Sequence, residues 1–95
     1  MADVLNPDAL RHELDRLDGW EGTVHEGISR SYSFADFAGS ISFVNRLAEH
    51  AEQVGHHPDL AISWDTVTVT YITHSAGGVT QADIAQARAV DRLTG

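Results

Sequence analysis

From Leu60 to Tyr71 the chain alternates as only strands can. Leu60, Ile62 and Trp64 share a parity against Ala61 and Ser63, and beyond Asp65 the residues Val67, Val69 and Tyr71 alternate with threonines. Successive strand side chains point to opposite faces, so this pattern describes a hairpin rich in β-branched residues, with its Val67, Val69, Tyr71 face turned toward helices. The period is also two between Trp20 and Phe34, where Ile28, Tyr32 and Phe34 share a parity and Glu26-Gly27 is the turn. Two antiparallel strands are expected there, with Arg30 the discordant polar residue on the apolar parity.

Around these hairpins the period becomes helical. Asn6 can cap a helix with Pro7 at its first position, and Leu10, Leu14 and Leu17 recur on one face, which predicts a helix over residues 7–17 ended by Gly19. A longer second helix carries Phe37, Ile41, Val44, Ala48 and Ala51 behind a cap at Ser33 or Asp36, with Gly55 as its stop. Gly77-Gly78 breaks the second hairpin. Thr80 with Asp83 makes a capping box that opens an alanine-rich helix through Ile84, Ala87 and Val90. The order α-β-β-α-β-β-α predicts an α+β fold, a four-stranded antiparallel sheet with three helices packed on one face. No repeat or linker divides residues 1–95, so one domain is expected.

Composition removes several kinds of function. A chain of 95 residues builds one modest core and gains from association. It has no cysteine, which excludes disulfides, thiolate nucleophiles and Cys-ligated zinc, and no lysine, which excludes Schiff-base chemistry. A net charge of -8 leaves little basic surface for a phosphate backbone, so nucleic acid is not expected as a direct partner. No stretch approaches the roughly 20 apolar residues of a membrane span. The first residues include Asp3, Asn6, Pro7 and Asp8 instead of a basic then apolar leader, and a soluble, cytoplasmic protein is expected.

The residues able to carry chemistry gather between Glu52 and Asp83. His56 and His57 follow the second helix, and Pro58 biases His57 toward extended backbone, so the two rings should diverge and play different parts. An imidazole gives and takes protons near neutrality; taken alone, such a loop pair reads as solvated. His74 is expected at the end of the fourth strand, on the parity of Thr66, Thr68 and Thr70, as a cleft wall or an exposed terminal residue. Asp83 has a sufficient structural task as third residue of the capping box. Glu52 precedes His56 by four residues, so a continuing helix would let it fix that ring's tautomer. Trp64 reads as a core residue, and His12, His25 and His50 as surface residues. Glu52, His56, His57 and His74 include metal-ligand types, yet adjacent histidines diverge and no spacing matches an established metal motif, so no metal site is assigned.

In this order Glu52, His56, His57, Pro58, Trp64, His74 and Asp83 resemble the signature of the pterin-4a-carbinolamine dehydratases. Gly19-Trp20, the Tyr32-x-Phe34-x-Asp36-Phe37 run, Ala51-Glu52 and Thr73-His74 through Gly78 extend the resemblance over nearly the whole chain. It implies the same α+β arrangement and the removal of water from a 4a-hydroxytetrahydropterin, giving the quinonoid dihydropterin within tetrahydrobiopterin recycling, with no cofactor. His56 and His74 are then the candidates for general acid and base, with Asp83 in the same active-site set. His57 and Pro58 would bind substrate, and Glu52 would bind or orient. Leu60 and Trp64 depart from the aromatic residue and tyrosine that many members carry there; the first weakens packing against a flat pterin. The resemblance also implies a homodimer or homotetramer. An alternative from the same fold is a non-catalytic scaffold, a transcriptional coactivator or an assembly factor; the retained signature favours the enzyme.

Overall fold

The elements form in the expected order: α1 (Pro7–Leu14), β1 (Glu21–Thr23), β2 (Gly27–Ser33), α2 (Phe37–Val54), β3 (Asp59–Ser63), β4 (Thr66–Tyr71) and α3 (Gln81–Leu93). The structure is a computed structural model that describes residues 3–94. The strands make one antiparallel sheet in the order β1-β2-β4-β3, so the two hairpins join through β2 and β4, with Tyr32 opposite Val67 and Ile28 opposite Tyr71. Alternation decides which face is covered. Ile28, Tyr32, Val67, Val69 and Tyr71 are buried on one side, with Phe43 and Leu47 of α2 and Ile84, Ala87 and Val90 of α3 in the same core. The serines of β2 and the threonines of β4 occupy the other side.

Asn6 Oδ1 accepts from the Ala9 amide and Asp36 Oδ1 from the Gly39 amide, so both early helices start where side-chain caps satisfy free N–H groups. The α1 helix is shorter than expected: it ends at Leu14, and residues 15–17 continue as turns that still bury Leu17. Arg30 is accommodated on the core parity because its guanidinium reaches outward, bonding Asp91 Oδ1 at 2.9 Å and the Asp18 carbonyl at 3.0 Å.

Two expectations are corrected. The α2 face in the core is Ser40, Phe43, Leu47 and Ala51; of the predicted Phe37, Ile41, Val44, Ala48, Ala51 row, Ala51 is buried and Val44 packs partly against the core, while Phe37, Ile41 and Ala48 lie off that face. Eighteen residues of helix span roughly 27 Å, against roughly 20 Å for the six-residue strand it crosses, so the end residues Phe37 and Val54 overhang and stay exposed. Trp64 is not core. It sits on the β3–β4 turn with φ 51° and is 68% exposed. Every residue of β3 is exposed because it is the sheet's edge, beyond the cover of the helices.

Candidate active site

Gly55 ends α2 in the left-handed conformation, φ 71°, with its N–H on the Ala51 carbonyl. The helix therefore stops at Gly55 as expected, before His56, and the Glu52–His56 contact that a continuing helix would have allowed does not form. Glu52 Oε2 instead accepts from His57 Nε2 at 2.9 Å, on a side of the chain open to solvent. His56 turns the other way, and its Nε2 lies 2.6 Å from Asp83 Oδ1. The two adjacent rings diverge as expected from the residue before a proline, and each finds a different carboxylate.

Asp83 performs its structural task and the second one together. Its Oδ2 accepts from the Thr80 amide, as the capping box requires, and from the Thr73 hydroxyl, each at 2.8 Å, while Oδ1 faces His56. The carboxyl group is fully buried, whereas the His56 side chain keeps 22% of its surface accessible. A buried carboxylate is tolerable only when its acceptor sites are filled, and here three donors converge on two oxygens. Tyr71 stacks on the imidazole, centroids 5.7 Å apart and planes 11° from parallel. Burial first, then the Asp83 charge, pushes the Tyr71 phenol up to about 12.

His74 is less enclosed than a strand-end wall would be. β4 stops at Tyr71, Thr73 forms an isolated bridge with Gly78, and His74 opens a 3-10 turn over residues 74–76. Its side chain is 78% exposed, with Nε2 3.8 Å from Asp59 Oδ2. Chain continuity nevertheless keeps it close: Thr73 bonds Asp83, and Asp59, which follows Pro58, pairs with Thr70 in the sheet. Thus His56, His57, Pro58, His74 and Asp83 belong to segments that meet at one end of the sheet, where α2 stops, β3 begins, β4 ends and α3 starts. Trp64 lies at the far end of β3.

Two concavities lie away from these rings. A cleft of about 650 Å³ lies beside α1, lined by Val4, Leu5, Leu10, Leu14, Val24 and His25 among others, and one of about 430 Å³ touches Thr80, Gln81 and Ala82. Neither is lined by His56, His57 or His74. Among the described residues no three His, Asp or Glu side chains converge as a metal-binding group. The contributions of Thr73 and Tyr71 were missed in the sequence, because a hydroxyl contact across ten residues and a ring stack across fifteen leave no local pattern. His50, read as surface, is part-buried with Nε2 2.7 Å from Gln86 Oε1.

Fold and site together define a small α+β protein that presents a histidine–carboxylate pair at the sheet's end. The family model described as pterin 4 alpha carbinolamine dehydratase matches residues 3–93. A protein of Thermosynechococcus vestitus, provisionally named a pterin-4-alpha-carbinolamine dehydratase, is 48% identical over 93 residues, spanning 98% of this chain and 97% of its own. A Mycobacterium avium protein with the same provisional name is 44% identical, with 97% of each chain covered. Among solved structures, a transcriptional coactivator/pterin dehydratase of Brucella melitensis superposes with a TM-score of 0.90 at 36% identity, covering 98% of this chain and 100% of that one. A pterin dehydratase-like protein identified as a RuBisCO assembly factor in the alpha-carboxysome gives 0.66 at 26% identity, over 80% and 87%. The chain belongs to the pterin 4 alpha carbinolamine dehydratase family.

Proposed function

We propose that the protein dehydrates 4a-hydroxytetrahydropterin to the quinonoid dihydropterin, in the cytoplasm, as part of tetrahydrobiopterin recycling. The observation that carries the reading is the His56–Asp83 pair, an accessible imidazole held by a buried, fully hydrogen-bonded carboxylate. Dehydration needs two proton movements: the departing hydroxyl takes one proton to leave as water, and the ring system gives one up as the new double bond forms. His56 is suited to one of these acts because Asp83 stabilises the charge it acquires. His74, exposed on the adjoining turn and backed by Asp59, is assigned the other. His57, oriented by Glu52, and Pro58 contribute substrate contacts. Positioned acid and base groups contribute roughly 100- to 10,000-fold to such a rate, and this proposal assigns no cofactor to the reaction.

The test is stopped-flow dehydration of synthetic carbinolamine by the wild type, His56→Ala and His74→Ala. The wild type should exceed the spontaneous rate, and each variant should lose about 100-fold or more. A wild-type rate equal to background would end the enzymatic reading. It would favour a protein-binding role like the coactivator or assembly roles that the names of the two solved structures carry.

A further inference from the structure

We propose that Thr73 is a positioning residue for His56, acting through Asp83: its hydroxyl makes Asp83 the acceptor of the His56 Nε2–H and leaves Nδ1 as the nitrogen that exchanges protons. The inference rests on the acid-base reading of His56. Asp83 is buried, so its hydrogen-bond partners are countable. The Thr80 N–H can only donate, and it occupies Oδ2 at 2.8 Å. The Thr73 hydroxyl lies 2.8 Å from the same oxygen and 2.9 Å from Thr80 Oγ1. Each hydroxyl has one proton to give. With Asp83 as a carboxylate, the arrangement in which no lone pair faces another sends the Thr80 proton to Thr73 Oγ1 and the Thr73 proton to Oδ2. The result is a directed chain of two hydroxyls ending on a carboxylate, in which each bond polarises the next.

With two donors on Oδ2, Oδ1 is the oxygen that receives the imidazole at 2.6 Å. A carboxylate accepts, so Nε2 bears hydrogen. In the neutral ring the free lone pair is then on Nδ1, and in the cation both nitrogens bear hydrogen but only Nδ1–H is unengaged by Asp83. The stack of Tyr71 on the ring restricts its rotation and preserves this choice. The other titratable groups with a contact at this end of the sheet are Tyr71 on β4, Glu52 of α2 paired with His57 just beyond it, and His74 of the 3-10 turn near Asp59 of β3, both pairs being exposed; α2 and α3 also carry Arg46, Glu49 and His50, and Arg88, Asp91 and Arg92. Thr73 itself need not touch substrate.

Two measurements separate this inference from the functional reading beneath it. Nitrogen-15 NMR of the histidine side chains in the wild-type protein, without substrate, should show neutral His56 as the Nε2–H tautomer; an Nδ1–H tautomer would overturn the inference whatever the activity. Thr73→Val keeps the volume and removes the hydroxyl. Its kcat should fall about tenfold or more with KM little changed, as expected when a buried charged acceptor loses a donor. The limb of its pH profile that belongs to the His56–Asp83 couple should move upward, because a carboxylate short of a donor holds the shared proton more tightly. Thr73→Ser should restore both. A folded Thr73→Val with wild-type kcat and pH profile would overturn the inference, and if that variant fails to fold the wild-type tautomer decides alone. A wild type with the Nε2–H tautomer but no dehydration above background would sink the enzymatic reading and leave the positioning of the ring standing.

Discussion

Tyr71 has two faces of consequence at the scale of single residues. Its ring holds His56 in place, yet its hydroxyl is buried with no hydrogen-bond partner among the described residues. A buried polar atom without a partner costs stability, so Tyr71→Phe should leave stability at pH 7 unchanged or raise it by about 1 kcal/mol, read from urea unfolding with an unaltered slope. The same phenol sets an alkaline limit. In an unfolded chain it ionises near 10, whereas in the fold burial and the Asp83 charge push it up to about 12. Tyr32 is also raised, by burial and then by its bond to Asp91. Groups raised in this way contribute full stability below pH 10, and that contribution is lost as pH climbs past 10 toward the native value. Unfolding midpoints should fall above pH 10, and Tyr71→Phe should soften the fall; an identical alkaline limb in the variant would refute the assignment.

Most elements were legible because their signals are local. The Asn6 and Asp36 caps, the Thr80–Asp83 box and the alternation of Val67, Val69 and Tyr71 are each complete within a few residues. What failed depended on neighbours far along the chain. Alternation in β3 reads the same whether or not a helix lies above it, so Trp64 looked like core until the sheet order put β3 at an edge and Trp64 on the turn beyond it. The α2 face was misassigned because apolar residues outnumber the row that meets the sheet. At the site, His56, His57 and Asp83 were legible as candidates, but the pairing of Glu52 with His57 turned on one backbone conformation. Gly55→Ala isolates that effect: no atom lies within 4 Å of an added Cβ, so only the left-handed backbone opposes it. A loss of about 1 kcal/mol is expected in thermal or urea unfolding, accompanied by lower dehydratase activity as the turn that carries His56 out of the α2 helix relaxes. A variant as stable and active as the parent would show that the turn does not set the site.

At the scale of the whole molecule both edge strands, β1 and β3, are exposed throughout, and β3 is the longer and more apolar. All five β3 residues are exposed, with Leu60 and Ile62 on the face of their partners Val69 and Val67. Two copies of β3 paired antiparallel about Ala61 would set Leu60 against Ile62 and Asp59 against Ser63, with no like charges opposed. Light scattering should therefore give at least twice the 10.3 kDa protomer mass, and Ile62→Lys should shift the population toward protomers; a monomeric wild type would remove the proposed assembly. A different long-range tie closes the fold itself. Trp20 Nε1, Arg30 Nη1 and Tyr32 Oη all donate to the carboxylate of Asp91, at 3.1, 2.9 and 2.5 Å to Oδ1, across 59 to 71 residues of chain. During synthesis the first hairpin is made long before this partner exists. Until the final turn of α3 clears the ribosome, an indole, a guanidinium and a phenol must wait in water, so the nascent chain closes this tie only after its last helix is made.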